Sequence, residues 1–129
     1  MAQTYQVVIT PRAEASLESI IDYLREKASD EIAEKVRDEI EEAIRQLAEM
    51  PQSNSMLREL SDSQVVFRRV LVWSYRIIYT IKESMLQVIV VEIDHSKRNP
   101  QRIKDLLGWL KVDEEKDKRY NKKYPLLSH

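Results

Sequence analysis

The residue pattern changes period at Pro51, and that switch constrains the fold more than anything else in the chain. Before it, apolar residues recur three and four apart, the spacing of one helix face. Beyond Asp62 the chain turns β-branched and aromatic, with short polar breaks that read as hairpins. A helical half followed by a strand half implies an α+β layer fold, with helices on one face of a mostly antiparallel sheet.

The elements follow in order. Tyr5 to Ile9 reads as a short strand with Tyr5, Val7 and Ile9 on one face. Thr10-Pro11 marks a helix start, since Thr10 can cap orphan amides and proline lacks an N–H that would have no partner there anyway. Ala13, Leu17, Ile20, Ile21, Leu24 and Ala28 form the stripe of that helix. Ser29-Asp30 offers a new cap, and a second helix is predicted from about Glu31 to Met50, along Ala33, Val36, Ile40, Ala43, Ile44 and Leu47. The short link makes the two helices an antiparallel hairpin. Pro51 to Asp62 is polar and turn-rich and reads as a loop.

Three strands come next: Val65 to Val72, Tyr75 to Ile81 and Leu86 to Ile93, with a reversal at Trp73-Ser74 and a turn at Lys82-Glu83-Ser84. Such short links give an antiparallel meander. The nearly continuous apolar run Val88–Val91 suggests a central strand covered on both faces. Asn99-Pro100 then caps a short amphipathic helix carrying Ile103, Leu106, Leu107 and Leu110. Residues 1–110 are read as one domain and residues 111–129 as a charged tail.

Composition excludes several functions. The one glycine of the 129 residues, Gly108, leaves no material for a phosphate-binding loop or dinucleotide fingerprint. Without cysteine there is no thiolate chemistry and no Cys-based zinc site, and two separated histidines do not suggest a metal. No cofactor is implied. No stretch approaches the roughly 20 apolar residues of a membrane span. The first residues show no charged region leading into an apolar one, and together with the missing cysteines this favours the cytoplasm.

The formal net charge is −1, yet charge is segregated. Residues 12–50 hold six basic and twelve acidic side chains, whereas residues 67–104 hold eight basic and three acidic. Local fields rather than the total attract partners. The strand half can therefore draw an anionic partner, whether nucleic acid or an acidic protein segment; the alternative is that these faces are simply solvated.

Individual residues carry the same pair of readings. Arg76 can stabilise charge on a phosphate through paired hydrogen bonds, or pair with Glu92 or Asp94 across the hairpin. Arg68 and Arg69 are consecutive and face opposite ways in a strand, so one of them at most joins Arg76 on a given surface. Arg98 and Lys97 lie where the last strand ends. Histidine as a residue type suits general acid–base work, which makes His95 a candidate, but its parity with Ile89, Val91 and Ile93 points it toward the core. Trp73, Tyr75 and Tyr79 can stack on bases, or serve packing and partner contact.

The strand, helical hairpin and proline stop, then Tyr75-Arg76-Ile77-Ile78-Tyr79 and Val88 through Asp94-His95-Ser96-Lys97-Arg98-Asn99-Pro100, together resemble the RelE/ParE superfamily. These are toxins of bacterial type II toxin–antitoxin modules, often called plasmid stabilisation proteins. The resemblance implies an N-terminal strand, an antiparallel helical hairpin, a three-stranded antiparallel meander and a short C-terminal helix. It implies a cognate antitoxin protein as partner. RelE-like members cut mRNA on the ribosome without metal, using basic residues; ParE-like members inhibit DNA gyrase.

By the family pattern Arg76, Arg98 and Arg69 match the basic positions, whereas Phe67 and Lys104 stand where the ribonucleases carry a further basic residue and an aromatic. The resemblance is therefore closer to the ParE branch. Under the endonuclease alternative the catalytic residues are Arg76, Arg98, Arg69 and His95. Partner or nucleic-acid contact falls to Arg68, Lys97, Tyr75, Trp73 and Arg102. A third alternative is an inactive member that only binds an antitoxin-like partner.

Overall fold

The computed structural model describes residues 4–97. In chain order these form β1 (Gln6–Ile9), α1 (Pro11–Lys27), α2 (Asp30–Gln46), β2 (Phe67–Val72), β3 (Tyr75–Lys82) and β4 (Gln87–His95). Short 3₁₀ turns cover Pro51–Ser53 and Glu83–Met85. The predicted helix over Ile103–Leu110, the tail, Arg98 and Arg102 lie outside the described residues.

The helix starts form as their sequence dictates. The Thr10 hydroxyl accepts from the Ala13 amide at 3.1 Å, and the Ser29 hydroxyl accepts from the Ile32 amide at 3.1 Å. Thr10 also ties α1 to the central strand: its amide donates to Val90 O and its hydroxyl to Val91 O. Between the helices, Arg37 donates two 2.9 Å bonds to the Glu18 carboxylate, which raises the guanidinium pKa. Arg25 reaches Glu34 at 2.7 Å. Part of the acidic charge on this half is thus consumed inside the hairpin.

α2 stops at Gln46 rather than at Met50. The four residues before Pro51 turn back toward β1, where the Tyr5 amide donates to Ala48 O at 2.8 Å. Met50 there adopts a left-handed backbone, φ 49°.

The sheet order is β1-β4-β3-β2, with β4 inside as its apolar run suggests. β1 pairs parallel to β4, while β2, β3 and β4 form the antiparallel meander. The helices cover one face, over Val7, Ile9, Ile77, Tyr79, Val88, Val90 and Ile93. The predicted loop is more than a connection. It folds over the opposite face and buries Leu57 and Leu60 against Val8, Phe67, Ile78, Ile89 and Val91. It also lines the edge of β2, where the Leu57 amide donates to Phe67 O and the Arg69 amide to Ser55 O.

One irregularity decides which side chains face where. Ile78 pairs with Glu92, but Tyr79 pairs with Val90, so Val91 is an extra residue in β4. Ile89 and Val91 consequently join the cluster beneath the loop, while Ile93 joins the helix-side core. His95 does not share a face with Ile89 and Val91, as simple alternation requires; the bulge transfers it to the helix side, and it is exposed. Because Leu60 is buried, Leu60→Ala should cost about 2–4 kcal/mol in urea unfolding. A loss below about 0.5 kcal/mol, the range of surface substitutions, would show that the loop does not seal this face.

Candidate functional site

The functional residues expected from sequence lie on β2, β3 and the end of β4, and the register sorts them. Arg69, Leu71, Arg76 and Ile78 share the face turned away from the helices, while Arg68, Val70, Val72 and Tyr75 face the helix side. Arg69 is therefore the member of its pair that joins Arg76.

Arg76 is buried and opposes Asp94 in register. Its Nε donates to Asp94 Oδ1 and its Nη2 to Oδ2, both at 2.9 Å. The Asp94 side chain is fully buried, at 0% exposure. Of the alternatives weighed for this arginine, the geometry is that of a cross-strand pair. Its Nε/Nη2 fork, the donor set that would grip a phosphate, is filled by Asp94. Two residues earlier on β4, Glu92 is buried as well: Ser16 donates to it at 2.6 Å, Arg12 at 3.3 Å, and its own strand's Ile93 amide at 3.0 Å. Sequence reasoning did not foresee Arg12 and Ser16 as its partners, because they come from the other half of the chain.

The remaining residues are more accessible. His95 opposes Tyr75, the rings meeting edge to face at 5.7 Å, and its Nδ1 accepts from the Lys97 amide at 3.2 Å. Burial raises the Tyr75 pKa, with Tyr23 nearby adding to the shift. Trp73 sits at the β2–β3 reversal, exposed, with the Lys35 ammonium 6.0 Å from its ring centroid. Arg68 lies apart from Arg69 and Arg76: it donates to Asn54 O at 2.8 Å, beside Tyr79, whose hydroxyl donates to Pro51 O.

A second polar cluster, invisible in the sequence, closes the opposite end of the sheet. Tyr5 donates to Glu83 Oε1 at 2.6 Å, and Gln52 Nε2 donates to Tyr5 Oη at 2.5 Å and to Glu83 Oε2 at 3.1 Å. The hydrogen bonds from Tyr5 and Gln52 lower the Glu83 pKa, and the bond to Glu83 raises that of Tyr5.

This arrangement of strand, helical hairpin and meander, with its buried ion pairs, defines a small α+β fold with two helices on one face of a four-stranded sheet. The family model for "ParE toxin of type II toxin-antitoxin system, parDE" matches residues 7–100, and the chain belongs to that family. Among solved structures it resembles a chain of the chromosomal ParDE toxin–antitoxin system from P. aeruginosa, at 19% identity and TM-score 0.59, over 71% of this chain and 96% of that one. A chain of the archaeal RelE–RelB complex from Pyrococcus horikoshii OT3 matches at 19% identity and TM-score 0.46, over 75% of this chain and 100% of that one. No curated protein matches in sequence.

Two outcomes follow from the buried charges. Arg76→Ala leaves Asp94 without its cation and should cost about 3–5 kcal/mol, whereas Arg76→Met with Asp94→Leu should recover most of that loss; urea unfolding of the three proteins measures both. For Glu83 the folded pKa is depressed, so the unfolded chain binds more protons in the acid range. Its contribution is present above the ordinary glutamate range near 4.5 and is lost as pH falls through the lowered value. The difference in Tm between the wild type and Glu83→Gln should therefore narrow on going from pH 6 to pH 3.

Proposed function

We propose that the protein arrests growth by binding DNA gyrase in the cytoplasm, and that a cognate antitoxin protein neutralises it. The observation that carries this reading is the Arg76–Asp94 pair. A ribosome-dependent ribonuclease needs preorganised cations aimed at the scissile phosphate, and here the central arginine is buried in a two-point bond to a carboxylate. Phe67, at a position where ribonuclease members place a basic residue, is instead packed with Leu57 and Leu60. Arg69 alone of the described catalytic candidates keeps its position on that face without an ion pair among the described residues. Membership in the ParE toxin family supports the same reading. Among the described residues no helix is long and apolar enough to cross a membrane.

Purified protein should inhibit supercoiling of relaxed plasmid by purified gyrase, and its induction in cells should leave transcript ends without codon-phased cuts. Unimpaired supercoiling together with codon-phased cleavage would replace this reading with the endonuclease one; neither effect would leave an inactive antitoxin-binding member.

A further inference from the structure

The loop after α2 covers one half of the sheet's outer face. Leu57 and Leu60 pack there on Val8, Phe67, Ile78, Ile89 and Val91, and the apolar cluster ends with them. Beyond it, toward the β2–β3 reversal, Arg76 opposes Asp94 on one side and Leu71 on the other. Leu71 is 52% exposed, yet Arg76 and Asp94 are buried, at 6% and 2%. Charged groups beside open water keep part of their hydration, so a pair desolvated this far has chain lying over it. Leu71 marks the rim of that cover.

The chain leaves the fold at this place. The Ser96 amide donates to Ser74 O at 2.8 Å, so β4 ends beside the β2–β3 reversal. Residues 98–129 follow, and the first of them carry the apolar stripe Ile103, Leu106, Leu107 and Leu110 behind the Asn99-Pro100 cap. A helix from Pro100 to Leu110 is too short to persist alone in water and needs a surface for its stripe. It would be about 16 Å long at 1.5 Å per residue, against roughly 10 Å from β4 to β2. Its start lies three residues, at most about 10 Å, from Lys97. The family match stops at residue 100, so the stripe lies beyond the part that defines the family.

We propose that residues 100–110 fold back as a helix across the upper outer face, over the Arg76–Asp94 pair, with Leu71 at the margin of the contact. The occupant is the chain itself rather than a separate partner, because so short a link makes docking an intramolecular step at high effective concentration. The stripe excludes water from the ion pair, which strengthens the attraction within it, and it closes the arginine off from any external phosphate.

The chain has no cysteine, so introduced pairs report without background. Full-length protein carrying Leu71→Cys with Leu107→Cys, or Ile32→Cys with Leu107→Cys, is treated with a short bifunctional maleimide at low protein concentration and read by mass spectrometry. Leu71 and Ile32 are both exposed, the first at the rim of the cover and the second on the helical hairpin. The Leu71 pair should close within one molecule roughly tenfold faster than the Ile32 pair. Leu107→Asp should speed hydrogen exchange at the Arg76 and Asp94 amides roughly tenfold and leave Leu17 and Ile40 as in the wild type.

Equal closure of the two pairs, or faster closure of the Ile32 pair, overturns the proposal. So does unchanged exchange at Arg76 and Asp94. Crosslinks that form only between molecules overturn it in favour of a second copy on this face. Should Leu107→Asp unfold the whole protein, the crosslinking rates decide.

Discussion

Two carboxylates buried on the central strand, Glu92 and Asp94, require cations, and much of the architecture is arranged around supplying them. Moving such charges out of water costs several kcal/mol each unless a well-placed partner and further hydrogen bonds offset it. Asp94 draws Arg76 from the neighbouring strand, and Glu92 draws Arg12 and Ser16 from the first helix. The first pair fixes the register of β3 on β4; the second locates α1 over the end of β4. Apolar residues of the same volume would pack as well, whereas a shift of register would leave each carboxylate buried without its cation.

The same requirement shapes what the surface has left to offer. The arginine of the Tyr-Arg pair, which in a nuclease would face a phosphate, is spent inside the fold. Of the described cations, Lys35 on α2 is held over the Trp73 ring and Arg69 shares the outer face with Arg76, neither in an ion pair among the described residues. The donors of Arg76 that could grip a phosphate are turned to a carboxylate instead, and Phe67 lies in the lower core.

Much of this was legible in the sequence, where local chemistry decides. Thr10-Pro11 and Ser29-Asp30 cap the helices as their side chains require, and the reversal at Trp73-Ser74 falls where the apolar strands break. The pairing of Arg76 with a β4 carboxylate was one of the two readings its position allowed. What escaped was set by tertiary contact. A bulge at Val91 has no local marker in a run of valines and isoleucines, yet it moves His95 to the other face. Leu57 and Leu60 sit in a polar stretch with no period, so their burial under the sheet appears only when the chain has folded back. The Tyr5–Glu83–Gln52 trio joins three distant segments, none of which suggests the others.

The segment Ser55–Leu57 has a further consequence through the peptide groups it occupies. It seals the outer margin of β2 as far as Arg69, and at the far margin β1 is only four residues long, its approach already bonded to Ala48. An exposed strand margin is a template for self-association. Among the described residues, the stretch around Leu71 and the outer side of the four-residue β1 have no backbone partner, and each is too short to zip one sheet onto the next. Margins this short offer a second copy of the chain little backbone to pair with, which works against growth into fibres.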